Sequence, residues 1–132
     1  MFFKMGDTFS RNFAVTNILH EGFVDLFGDR NPLHIDDAFS IKKGFRGKVM
    51  HGNILGGFLS YFIGECLPIK DVIIHSQEIQ YRSPAYINDT LVLEAKVVGV
   101  FESVGAVEFK FNFRNAEAIT VATGVIQIGV IL

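Results

Sequence analysis

The spacing of apolar residues changes period midway along the chain. From residue 73 onward, the segments 73–81, 90–100, 106–114 and 118–131 alternate apolar and polar positions and read as strands. The third is the clearest: Val107, Phe109, Phe111 and Phe113 alternate with Glu108, Lys110, Asn112 and Arg114, so one face is buried and the other solvated or paired. In the last segment the alternation loses phase near Gly124, which predicts a bulge there. Short connections containing Gly, Ser, Asn or Asp favour an antiparallel meander over parallel crossovers.

The first half follows the helical period. After an extended opening through Phe13 and Val15, Thr16 is an N-cap for a helix running to about Phe27, with Ile18, Leu19, Phe23, Leu26 and Phe27 on one side and Gly28 as its stop. Asn31-Pro32 interrupts any further helix, and Asp36 caps a short turn that ends before Gly44. Residues 52–67 are apolar nearly all round, which predicts a helix buried on most faces and ended by Pro68. The glycines at 52, 56, 57 and 64 each weaken that helix by up to ~1 kcal/mol, so they point to close approach by a sheet or a ligand.

One long apolar helix followed by four long strands predicts an α+β layout, a strongly curved antiparallel sheet wrapped around the helix. A single open sheet exposes its edge strands, so side-by-side pairing of two copies into a homodimer is the structural expectation. With 132 residues, 49% hydrophobic and 20% charged, the chain buries a sizeable core and reads as one domain, 1–132. A net charge of −2 without a Lys/Arg run gives no electrostatic footprint for nucleic acid. The lone Cys66 excludes an intrachain disulfide framework and suits a reducing compartment as a small buried hydrophobe. No secretory run opens the sequence, and 54–67 is too short to span a bilayer, so the expectation is a soluble, cytoplasmic protein with no membrane span.

Titratable groups concentrate in Gly28-Asp29-Arg30-Asn31-Pro32-Leu33-His34. A carboxylate and an imidazole aimed at one water across a proline-bent turn make a competent acid/base pair. On spacing alone, Asp29 capping a turn and His34 packed with satisfied nitrogens is the more ordinary reading. A second cluster, Val49-Met50-His51-Gly52-Asn53, stands at the start of the apolar helix. There a free Gly52 N–H can receive a carbonyl oxygen that gains negative charge, or Gly52 merely relieves crowding at the turn; His51 beside it can polarise a substrate, but such a histidine is more often structural. The four histidines, at 20, 34, 51 and 75, show no metal-ligand spacing.

The run Phe27-Gly28-Asp29-Arg30-Asn31-Pro32-Leu33-His34-Ile35-Asp36, followed by Gly44-Phe45 and His51-Gly52, closely resembles the signature of the MaoC-like, (R)-specific enoyl-CoA hydratases of the hot-dog fold. Ser60 and the elements Tyr81-Arg82-Ser83-Pro84 and Asp89-Thr90-Leu91 match as well, so the resemblance covers most of the chain. It implies a hydro-lyase of fatty acid metabolism that interconverts trans-2-enoyl and (R)-3-hydroxyacyl thioesters of CoA or acyl carrier protein, without cofactor or metal. It further implies that Asp29 and His34 hold the reacting water and that Asn31 helps position it. Gly52 N–H would receive the thioester oxygen, Ser60 would support the dyad, and His51 and Asn53 would contact substrate. Phe58, Tyr61 and Phe62 are candidates to close the acyl pocket, although aromatics there are more often core. The competing readings are a hot-dog acyl thioesterase and a non-catalytic acyl-thioester-binding subunit.

Overall fold

The computed structural model describes residues 2–132. Strands β1 (Thr8–Ala14), β2 (Val72–Tyr81), β3 (Thr90–Phe101), β4 (Ala106–Arg114) and β5 (Thr120–Val130) form one antiparallel five-stranded sheet in the order β1-β3-β4-β5-β2. All four strands expected from the alternation are present. The extended opening becomes the additional strand β1, because it pairs in register with β3 from Thr8↔Lys96 to Ala14↔Thr90. The alternating Phe residues of β4 are buried and pair with small and branched neighbours: Phe109 lies opposite Val97 and Ile126, and Phe113 opposite Leu93 and Ala122.

The lost phase in β5 is not a bulge at Gly124. That residue stays in register with Ile79 and Phe111, and a Cβ on it would overlap the Glu78 carbonyl oxygen and the Phe111 ring. Gly124 is therefore required for close strand approach. The register shift falls between Phe113 and Arg114 of β4, whose partners are Ala122 and Thr120, so Val121 is the extra residue and both Val121 and Ala122 are buried.

Against the sheet lies α4 (Ile54–Tyr61), which continues into a single wider π turn, Phe62–Cys66. Ile54, Leu55, Phe58, Leu59, Phe62 and Ile63 are buried in one core with Leu91, Leu93, Val97, Phe109, Phe113, Ile126 and Ile128 of the strands. The helix is not buried all round: Asn53, Gly57, Ser60, Tyr61 and Gly64 form an exposed stripe, and a Cβ at Gly57 or Gly64 would meet nothing within this chain. Gly52 does sit under a close neighbour, the Tyr81 ring. Cys66 is half-buried against the core.

Three further helices span the segment between β1 and α4. In α1 (Asn17–Phe27) the Thr16 hydroxyl accepts the Leu19 N–H at 3.1 Å, and Gly28 closes the helix in the left-handed conformation at φ 72°. Only Leu19 and Phe23 of the expected apolar face pack on the core; Ile18, Leu26 and Phe27 are exposed. Asn31 caps α2 (Pro32–Ile35), and Asp36 caps α3 (Asp37–Lys42). These pieces carry the loop with Asp29 and His34 across the N-terminal end of α4.

Candidate active site

Asp29 and His34 are brought together by the turn that the proline enforces. Asp29 Oδ1 accepts the Asn31 N–H at 3.2 Å, and Asn31 Oδ1 accepts the Leu33 N–H at 3.0 Å, starting α2. Asn31 is exposed, and its acceptor oxygen is committed to that cap. That oxygen shapes the turn, while the amide Nδ2 makes no bond within the described residues. One oxygen of Asp29 shapes the turn, as the ordinary reading has it, and the side chain is still half exposed.

The hydrogen bonds of the imidazoles fix their tautomers, because a backbone carbonyl can only accept. His34 Nδ1 lies 2.7 Å from Val49 O, so the neutral ring carries its proton there and keeps Nε2 as an acceptor without a partner among the described residues. His51 Nε2 is 3.0 Å from Asp29 O and is the donor of that bond; the same nitrogen is 3.8 Å from Asp29 Oδ2. His51 is buried, stacks on His34 with centroids 4.0 Å apart, and also packs on Phe23 at 4.5 Å. Burial holds the His51 pKa below the ordinary histidine value, against the raising effect of its bond to Asp29. His51 therefore forms a wall of the site with its donor already engaged, which leaves no N–H on it to bind a substrate.

One oxygen of Asp29 and one nitrogen each of His34 and His51 lie within 4.8 Å of one another, a cluster that the sequence spacing did not reveal. The donor set suits a metal less well than its composition suggests. The His34 and His51 rings are nearly parallel, 23° apart, so their in-plane lone pairs do not converge on one point. No hydrogen bond joins Asp29 directly to His34. A separation of up to 4.8 Å is bridged well by one water making two ordinary hydrogen bonds.

Two hollows meet at Asp29. One, of about 590 Å³, is lined by Asp29, His34, Gly52, Asn53, Tyr81 and Arg82 among others. The second, of about 990 Å³, is a largely apolar groove between α1, β1 and α4 that shares Asp29 and Asn53 with the first and runs to Phe13, Phe58 and Tyr61. Gly52 and Asn53 stand at the start of α4, where backbone N–H groups have no intrahelical acceptor and the helix dipole is positive. Asn53 occupies the cap position, yet its side chain makes no capping bond, so its amide is available to a ligand. Ser60 is exposed, lines neither hollow and makes no bond to the dyad; it shares the exposed stripe with Asn53 but lies two turns, about 10 Å, farther along the helix. Phe62 is buried in the core, whereas Phe58 and Tyr61 do line the groove.

Comparison with known proteins gives the family and the fold. The family model described as "MaoC like domain" matches residues 4–117. The chain belongs to the MaoC-like domain family. Within the family, it is 30% identical over 93 residues to the (R)-specific enoyl-CoA hydratase of Aeromonas caviae, covering 70% of this chain and 68% of that protein. It is 34% identical over 76 residues to the 3-hydroxybutyryl-CoA dehydratase of Methylorubrum extorquens, covering 58% of this chain but only 47%, about half, of that longer protein. The solved (R)-hydratase of A. caviae superposes with a TM-score of 0.89 over 97% of both chains at 23% identity, which shows that this MaoC-like domain has the hot-dog fold.

The residues that the sequence did not reveal are His20 and Phe23 of α1. His20 is buried, and its Nε2 donates to His34 O at 2.7 Å. The signal was present: His20 falls at helical spacing between Thr16 and Phe23 on the inward side of α1, a polar residue on an apolar stripe.

Proposed function

We propose that this MaoC-like domain is a hydro-lyase that adds water reversibly across the double bond of a trans-2-enoyl thioester to give an (R)-3-hydroxyacyl thioester. The observation that carries the reading is the meeting of two proton acceptors at the N-terminal end of α4: the half-exposed Asp29 carboxylate, only one oxygen of which is used in the turn, and His34, whose Nε2 is free, with an oxygen of one and a nitrogen of the other within 4.8 Å. The names of the relatives, an (R)-specific enoyl-CoA hydratase and a 3-hydroxybutyryl-CoA dehydratase, support the same chemistry.

Water bound between Asp29 and His34 gives a proton to one of them as its oxygen bonds to C3. Negative charge moves onto the thioester oxygen, where the Gly52 N–H and the positive helix end stabilise it. A proton then returns to C2, and the dyad ends in its starting state. The Asn53 amide helps orient the thioester, and the apolar groove towards Phe58 and Tyr61 takes the acyl chain. The carrier is CoA or acyl carrier protein. The reaction as written needs no cofactor.

The functional unit in this reading is one domain over 1–132 acting as a homodimer in the cytoplasm. Strand β2 pairs only with β5, so its outer edge offers ten residues of backbone to a second copy. No helix is long and apolar enough to cross a membrane among the described residues. The test is to incubate the protein with a short trans-2-enoyl-CoA and follow loss of the conjugated thioester absorbance, product stereochemistry and free thiol. (R)-3-hydroxyacyl-CoA without thiol release is expected. Thiol release instead would establish a thioesterase, and binding without turnover of either CoA or carrier-protein thioesters would establish a binding subunit.

A further inference from the structure

Both members of the dyad are held from beneath by a buried imidazole. His20 Nε2 donates to the backbone carbonyl of His34 at 2.7 Å, and His51 Nε2 donates to the backbone carbonyl of Asp29 at 3.0 Å. Both rings are buried, each exposed by only 2%, and they lie 5.2 Å apart between α1 and the start of α4. We propose that His20 and His51 are a matched pair of positioning residues, each using its one N–H to fix the backbone of one dyad member. The proposal rests on Asp29 and His34 being the catalytic pair.

The argument lies in what each imidazole leaves undone. On both rings the remaining nitrogen, Nδ1, is buried without a partner. A phenylalanine or leucine would fill the same buried space, at His51 against Phe23 and the His34 ring and at His20 against His51, without burying an unsatisfied lone pair. What the imidazole adds over an apolar ring is the N–H, and in both cases that N–H meets a carbonyl of the catalytic loop. Neither donor is directed at the His34 ring nitrogens, so the pair does not relay protons. Asp29 sits on an exposed turn and His34 on a helix of four residues, and such short elements do not hold a geometry by themselves. The two bonds supply the missing restraint, and the stacking of His51 on His34 adds to it.

The experiment uses the full chain with His20→Phe and His51→Phe, which keep a ring and remove the donor, and with His20→Gln and His51→Gln, which restore a side-chain N–H. Hydration of a trans-2-enoyl-CoA gives kcat and KM, and hydrogen–deuterium exchange of the peptide covering residues 28–36 reports the loop independently of activity. The Phe variants are expected to lose kcat on the order of 10²-fold with KM changed less than about twofold, while the Gln variants recover a substantial part. Loop exchange should accelerate in the Phe variants and return towards the parent rate in the Gln variants. Kinetics and loop exchange of both Phe variants matching the parent would overturn the proposal, as would Gln variants as impaired as Phe variants. Should His51→Phe fail to fold, His20→Phe and the two Gln variants carry the same comparison. Full turnover in Asp29→Asn and His34→Ala would instead remove the dyad reading itself, and the exchange data would still decide whether the imidazoles hold the loop.

Discussion

His51 and His34 lie face to face, ring centroids 4.0 Å apart and 23° from parallel, with the His51 N–H turned away to the Asp29 carbonyl. Two imidazoles in that contact cannot both be charged without strong repulsion, and burial favours the neutral form of His51. His51 is held below the ordinary histidine pKa first by burial and then by the neighbouring His34 and His20, while its bond to Asp29 and the Asp29 carboxylate oppose the shift. The unfolded chain takes up this proton near pH 6.5, and the folded chain only at lower pH. The unfolded state therefore binds more protons in that interval, so the His51 contribution to stability is complete above about pH 6.5 and is lost as pH falls towards the folded value. The melting temperature should drop between pH 7 and pH 5. In His51→Phe that drop should be shallower, and an unchanged slope would show that other groups cause it.

Asp29→Asn and His34→Ala are each expected to lower kcat on the order of 10²- to 10⁴-fold, the range for removing a positioned acid or base. Neither side chain is a member of the apolar core, so far-UV circular dichroism and the melting curve should stay close to the parent. Near-parental turnover in either variant would take that residue out of the mechanism.

Gly52 stands under the Tyr81 ring, and a Cβ there would come within 2.8 Å of it. Tyr81 is half exposed, so its ring can swing away at little cost to stability, but it would swing at the mouth of the polar hollow. Gly52→Ala should lower kcat/KM about 10-fold or more while shifting the melting temperature little. Combining it with Tyr81→Ala should restore much of the loss, because the alanine keeps its N–H and the obstructing ring is gone. Failure of the double variant to recover would place the damage in the backbone of the turn.

The strands and the caps were legible because each depends on local chemistry: Phe residues alternating through β4, Thr16 before α1, Asp36 before α3 and Gly28 after α1. The pairing of Asp29 with His34 was legible as a motif rather than as spacing, since only the turn built by Asn31 and Pro32 brings them together. Contacts between distant segments were not. Nothing local in α1 says that His20 ends up under His34, or that the helix start delivers His51 to the Asp29 carbonyl. Asn31 and Ser60 carry polar groups suited to the site, but the oxygen of one is committed to a cap and the other faces outward. Gly124 illustrates the same limit: its sequence cue is a break in alternation, while its cause is the Glu78 carbonyl and the Phe111 ring from two other strands.

That cause is testable through stability. A Cβ at Gly124 would strike backbone of β2, which is paired along its length with β5 and cannot move without losing hydrogen bonds. Gly124→Ala should destabilise the protein by about 3 kcal/mol, the upper end of the usual range for overpacking, in urea unfolding. A loss below ~1 kcal/mol would show that β2 yields at this point.

The apolar groove leads to an expectation for substrate length. It begins at Asp29 and Asn53 and reaches Tyr61, eight residues along α4, or about 12 Å at 1.5 Å per residue. An extended hydrocarbon advances less than one 1.52 Å carbon–carbon bond per carbon, so roughly eight to ten carbons fit along this length. The far end is lined by Phe13 stacked on Phe58 at 4.5 Å, with Tyr61 edge-on to Phe13 and its hydroxyl accepting a bond from Arg11. Tyr61 is exposed and outside the core cluster, so Tyr61→Ala opens the end without emptying the core. Compared with the parent, this variant should raise kcat/KM for long enoyl-CoA chains relative to a four-carbon substrate and leave the four-carbon value within about twofold. Phe58→Ala should do the same but with a melting temperature lowered by several degrees, because Phe58 is buried against Phe13 and Phe113. If neither variant changes the length profile, the acyl chain does not follow this groove.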